Sequence, residues 1–232
     1  MNDKFEFTGE TRDFGGATVR RIRALRDIQP PRAGLEPVRA GELGGWLQHP
    51  WNLSVHGGSW VGGEAVVLAD ADVFCDAWVT EHAIMTESAY AMGWALVTGH
   101  ALLAGHVIVS DRARIGGHVI VSGRATIGGH CVLLARARLL GHVVVDDNNH
   151  KCICFDQLGS RGDTLTIARD RRIGMRYTTG CFSGTREQFV AAVAATHGDN
   201  EHAKAYRAAV NEADAWFWQQ RGYLRLWDGG AP

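Results

Sequence analysis

The stretch HALLAGHVIVSDRARIGGHVIVSGRATIGGHCVLLARA (His100–Ala137) decides the fold. Every sixth residue in it is a large aliphatic: Leu103, Val109, Ile115, Val121, Ile127 and Leu133. Followed outward, the same step runs back through Val97, Ala91, Met85, Val79, Val73, Val67 and Val61 to Val55, and forward through Leu139 to Val145. All sixteen are apolar. In a chain with 46% hydrophobic residues, such a run arises by chance on the order of once in a few hundred thousand. Four residues after each sits a small side chain, from Ser59 through Ala65, Ala71 and Ala77 to Ala137 and Val143. Two residues after each, most repeats place a turn-former: Gly57, Gly63, Gly93, Gly99, Gly105, Gly117, Gly123, Gly129 and Gly141, with Asp111 and Asp147 in phase. Glycine, and less easily Asp, takes the positive φ of a tight corner.

One object explains the three registers. Each hexad is a short strand and a corner, three hexads close an 18-residue coil, and coils stack at strand spacing. The large aliphatic fills the interior and the small residue fits where walls converge. This composition and spacing resemble the hexapeptide-repeat left-handed parallel β-helix proteins, which include acyltransferases and γ-class carbonic anhydrases. The left hand is what the resemblance implies. The entry segment GELGGWLQHPWNLSVHGGSWV (Gly41–Val61) is similar to that of bacterial and phage-borne members carrying a provisional acyltransferase label. The matching residues are Gly44, Gly45, Trp46, Asn52, Leu53, Ser54, Trp60 and Val61. The expected fold is therefore an all-β solenoid of about five coils over residues 55–147. A β cap and entry segment occupy 1–54, a short antiparallel β segment 148–184, and two helices with a tail 185–232.

The flanks support that division. FEFTG (Phe5–Gly9) and ATVRRIRALRD (Ala17–Asp27) read as a hairpin ahead of Pro30 and Pro31. KCICF (Lys151–Phe155), DTLTIARD (Asp163–Asp170) and RIGMRYTTGCF (Arg172–Phe182) read as antiparallel strands. Thr185 with Gln188 is a capping box opening one helix, which Gly198 can end. Asp199 or Asn200 can cap a second, over about Glu201–Gln219.

The bulk numbers bound the function. A net charge of −1 gives no global field for nucleic acid or anionic lipid. No stretch approaches the roughly 18 apolar residues of a membrane span, and MNDKFEFTGE lacks a signal-peptide core. Five irregularly spaced cysteines do not read as a disulfide framework. The expectation is a cytoplasmic chain with neither membrane nor sequence-specific nucleic acid as partner.

Function must lie on outward positions. One wall carries Val66, Ile84, Leu102 and Ile120 followed by Arg138, an apolar patch expected to be covered by the C-terminal helices or by another subunit. Relatives that the array resembles are commonly trimers, which implies a homotrimer. Six of the 11 histidines share one phase just after the corner. His82, His100 and His118 fall on one edge, below Glu64 and above Arg136. His106, Arg124 and His142 share the second, and Arg112 precedes His130 on the third. Three readings of this phase compete. The histidines are neutral passengers of repeat duplication, or ligands of a metal between subunits, or donors to a phosphate-bearing anion in trimer grooves. The γ-class carbonic anhydrase resemblance would need a closer partner to His82 and His118, yet position 123 is Gly. His150, Cys152 and Cys154 alternate on one strand but lack a second Cys pair, so no metal is expected. Two functional expectations follow, with no cofactor in the first. The first is a non-catalytic, trimeric accessory protein of phage type, taking an anionic small molecule, such as a signalling nucleotide, or a host protein at subunit grooves. The alternative implied by the resemblance is an acyltransferase using acyl-CoA as substrate, with His100 or His118 as general base. A structural scaffold is the third. No insertion breaks the array as read from Val55, unlike many enzymes on this fold.

Overall fold

The structure, a computed structural model, describes residues 2–134, 136–146 and 152–224, with side chains followed to residue 217. Asp147 and His150 lie outside the described residues.

The chain opens with the hairpin β1 (Phe5–Phe14) and β2 (Ala17–Ala24), antiparallel to each other, and β2 pairs antiparallel with β3 (Leu43–Leu47). Short strands β4 (Trp60–Val61) through β18 (Val143–Val145) then recur every six residues and stack parallel with a step of 18, as in Leu102 on Ile84. They form three walls, and the assembly is a β-solenoid. The first wall joins β3 in parallel to Val66–Val67 and runs to Arg138–Leu139. The second carries Asp72, Tyr90, Ile108, Thr126 and Val144 outward, and the third Trp60, Trp78, Leu96, Arg114 and Val132.

Inside, the large aliphatics and the small residues are sequestered together: Val97, Ala101, Leu103, Val107, Val109, Ala113 and Ile115 are all fully buried. At about 1.5–3 kcal/mol for each large side chain removed from water, this column is the principal stabilising term. Most corners are glycines at positive φ, but a run of four, Ala69, Cys75, Glu81 and Glu87, and later Asp111, hold that conformation with a side chain.

The solenoid has about six coils, one more than expected, because it begins before Val55. Trp46–Leu47 is paired to Val66–Val67, and Leu53 bridges to Val73 in parallel. Leu53 is fully buried, whereas Val55 sits half-buried in a loop. The next interior position is Val61, so this loop holds two residues more than the other corners. Val55 kept the six-residue count only because it is apolar and two places late. The excursion is pinned from inside: Lys4, fully buried, donates through Nζ to the Ser54 carbonyl, the His56 carbonyl and Ser59 Oγ.

The C-terminal module extends the second wall. Val143–Val144 pairs antiparallel with β20 (Asp163–Asp170), which also pairs with β19 (Cys152–Leu158) and β21 (Gly174–Thr179); β22 (Phe182–Gly184) closes the edge. Helix α1 (Arg186–His197) starts from the Thr185 capping box with Gln188 and ends at Gly198. The Asn200 side chain accepts the Ala203 amide at the start of α2 (Glu201–Leu224). Both helices pack on this sheet, around Leu165, Ile167, Tyr177, Phe189, Tyr206 and Val210. They do not form the expected cover of the aliphatic wall. Val66 alone there is covered completely, by Val19 and Trp46, and Ile84, Leu102 and Ile120 stay half-buried. The physical reason is that the helices have their own apolar sheet face to bury. No helix of the described residues is long and apolar enough to cross a membrane.

Candidate functional site

Each corner turns one wall into the next, and the residue after it sits on an edge where one coil's side chain lies above the next. Coil spacing therefore dictates side-chain spacing. On the first edge the rings of His82, His100 and His118 stack with centroids 4.8 and 4.9 Å apart and planes within 3°. All three are exposed. Their backbone is fixed by the ladder, with the His82 amide on the Gly99 carbonyl and the His100 amide on the Gly117 carbonyl.

The two ends of this edge differ. At the start, Glu64 accepts from Arg12 Nη1 at 2.9 Å, Arg21 Nη1 at 2.6 Å and Trp46 Nε1 at 3.0 Å. Its partial burial favours the protonated form, but Arg21 and then Trp46 outweigh that and lower its pKa. The Arg12 guanidinium also lies over the Trp46 ring at 4.2 Å. At the other end, His118 and the exposed Arg136 open onto a cleft of about 220 Å³ with Ile120, Arg138, Asp163 and Gly180. Arg138 donates through Nη1 to the Gly180 carbonyl, and its amide donates to Thr166 Oγ1 at 3.0 Å. Its Nε is buried and has no hydrogen-bond partner. The acidic start of the edge is thus neutralised by the cap, and its basic end is left beside a cleft.

No family model, curated protein or solved structure matches this chain. The geometry alone must therefore weigh the other candidates.

On the second edge, His106 and Arg124 are exposed and His142 is half-buried. Asp170 accepts the His142 amide at 3.0 Å, and the Arg171 amide donates to the His142 carbonyl at 3.1 Å. This edge runs under the C-terminal module. On the third, Arg112 lies over the Trp94 ring at 5.6 Å, and both line a cleft with His130 and the linker residue Arg32. The structure thus brings His82, His100, His118 and Arg136 into one row and places His106, Arg124, His142, Arg112 and His130 on two others.

Among the described residues, no three His, Cys, Asp or Glu side chains converge to hold a metal ion. The Cys152 and Cys154 thiols hydrogen-bond to each other, which raises the Cys152 pKa together with burial and lowers that of Cys154. At the helix turn, Asp199 pairs with Arg207, and the His197 and His202 rings meet edge to face at 5.6 Å.

The two clefts add Arg32, Trp94 and Asp163 to the rows read from the sequence, and Arg138, read there only as the end of the aliphatic wall. Trp94 was within reach of the 18-residue step, one coil before Arg112. Arg32 carried no signal, since nothing local places a linker residue against coils 62 and 80 positions away.

Proposed function

We propose that this chain is a non-catalytic β-solenoid that captures an anionic small molecule along the His82–His100–His118 edge, as a homotrimer. The observation that supports it is the ladder of stacked imidazoles leading to Arg136 and the Arg138 cleft. Imidazole and guanidinium N–H groups in one row offer charge-assisted hydrogen bonds to phosphate or carboxylate oxygens. Asp163 in the same cleft adds an acceptor for a ligand that carries a donor beside its anionic group. The half-buried Ile84, Leu102 and Ile120 flank this edge; a second copy seated on them would bury aliphatic surface and enclose the ladder in a groove. The phage-type accessory role follows from the resemblance of the entry segment and belongs to this reading.

Calorimetric titration of the full chain with inorganic pyrophosphate tests the site. Pyrophosphate affinity should fall tenfold or more in the double variant His118→Ala/Arg136→Ala, the order expected for lost charge-assisted bonds. It should hold in Arg124→Ala. Thiol release from acetyl-CoA would replace this reading with an acyltransferase. Indifference to pyrophosphate, ATP and acetyl-CoA alike would favour a scaffold or a host-protein partner. A monomeric mass by light scattering would remove the trimer.

A further inference from the structure

We propose that the third edge carries a separate site, a cleft that takes a nucleoside phosphate with its base against Trp94 and its phosphate between Arg32 and Arg112. The site does not rest on the histidine ladder, with which it shares no residue.

The cleft is built by a strap and an edge. The linker after the hairpin crosses the third wall, and Arg32 Nη2 donates to the Trp94 carbonyl at 2.9 Å and the Arg112 carbonyl at 3.2 Å. It thereby ties together two successive coils. Pro31, Arg32, Trp94, Arg112, His130 and Val132 enclose a space of about 440 Å³, within the range of small-ligand sites. Pro30 and Pro31 stiffen the approach of the strap.

Its chemistry is lopsided. Burial, then Arg114 and Arg112, lower the Arg32 pKa from the usual guanidinium range, and no acidic group figures among the causes. Arg32 Nε is buried without a hydrogen-bond partner. Asp111 accepts the Gly129 amide and the Ser110 hydroxyl, and Asp76 accepts the Gly58 amide, so both carboxylates are turned to neutral donors of the corners. Arg32 and Arg112 face one cleft, and among the described residues neither forms an ion pair with a carboxylate; planar guanidinium forks so placed suit phosphate. Trp94 supplies the second half. Trp94 is 48% exposed beside Arg112, so a flat aromatic system can stack there.

AMP, ribose 5-phosphate and inorganic phosphate are titrated calorimetrically into the full chain and into Trp94→Ala, Arg112→Ala and His118→Ala/Arg136→Ala. AMP should bind at least tenfold tighter than ribose 5-phosphate, and Trp94→Ala should erase that margin. Arg112→Ala should weaken AMP and ribose 5-phosphate alike by tenfold or more, with Arg112→Lys recovering part of the loss. The ladder variant should bind AMP as the parent does. Equal affinity for AMP and ribose 5-phosphate, no saturation by AMP at millimolar concentration, or indifference to Arg112→Ala overturns the proposal. Loss of AMP binding in the ladder variant alone would overturn it too and move the ligand to the other edge. Circular dichroism melts of each variant separate loss of binding from loss of fold.

Discussion

At a corner, one residue answers to two constraints at once. Gly105, Gly123 and Gly141 stack on one edge with φ of 86°, 86° and 82°, beyond the left-handed well near +57° that other residues visit. A Cβ on Gly123 would also lie 2.7 Å from the Gly141 carbonyl oxygen. Gly123→Ala should therefore cost at least about 2 kcal/mol in urea denaturation, combining backbone strain with a steric clash. Higher on the same edge, Glu87 sits at φ 59°, where a side chain fits at a cost. Glu87→Gly should stabilise by about 0.5–1 kcal/mol, the relief of left-handed strain less the added freedom of the unfolded chain. An unchanged denaturation midpoint would show that this corner is unstrained. Glu81 and Asp111 offset their corners differently, accepting the Gly99 and Gly129 amides of the coil beyond.

Between elements, two buried charges hold the caps. Lys4 ties the hairpin to the extra-long loop, and burial, then Arg26, lowers its pKa to about 8 from 10.5, against an opposing effect of Asp76. The unfolded chain then holds this proton more tightly than the folded one. Its contribution makes stability climb as pH rises from about 8 to 10.5 and stay flat below. Lys4→Met should abolish that climb in pH-dependent denaturation, while destabilising at neutral pH by stranding Ser59 and two carbonyls. Asp170 works in the other direction. Burial raises its pKa, but the Arg172 amide, Arg176 and the His142 amide together outweigh that and lower it. The stabilisation it lends is present above the ordinary carboxylate range and lost as pH falls through its depressed folded value. Because its side chain is fully buried against Arg176 at 2.7 Å, Asp170→Asn should cost about 3 kcal/mol, read as a lower melting temperature of the C-terminal module. Much of this scale was legible beforehand. The Thr185–Gln188 box and the strand Asp163–Asp170 fall where sequence patterning puts them, since capping and alternation are local. The loop after Leu53 was not, because an apolar Val55 mimics the next rung.

Across the whole molecule, the solenoid core and the helix-bearing module bury their apolar side chains in separate clusters. A coil has only its two neighbours to lean on, so protection from hydrogen exchange should peak in the central coils around residues 97–121 and fall toward 145. Equal protection throughout would mean that module and solenoid open as one unit. The interior column was readable because its rule is one-dimensional: Leu103, Val109 and Ile115 each repeat the same environment. The Arg32 cleft was not, because a linker's path over the third wall is settled only after the coils exist. The caps differ from the coils in one further respect. β2 pairs antiparallel with β3 at the start of the first wall, and β20 pairs antiparallel with Val143–Val144 at the far end of the second. The first wall at its start and the second at its far end are thereby closed by antiparallel strands, a pairing that no coil uses. Between those seals the body is modular: excising one full turn, residues 84–101 for example, would bring Ala83 onto Leu102 in the register that Ile84 now holds. The result would be a shorter protein by about 4.8 Å, with both ends untouched and every edge residue beyond the cut moved one place nearer the hairpin.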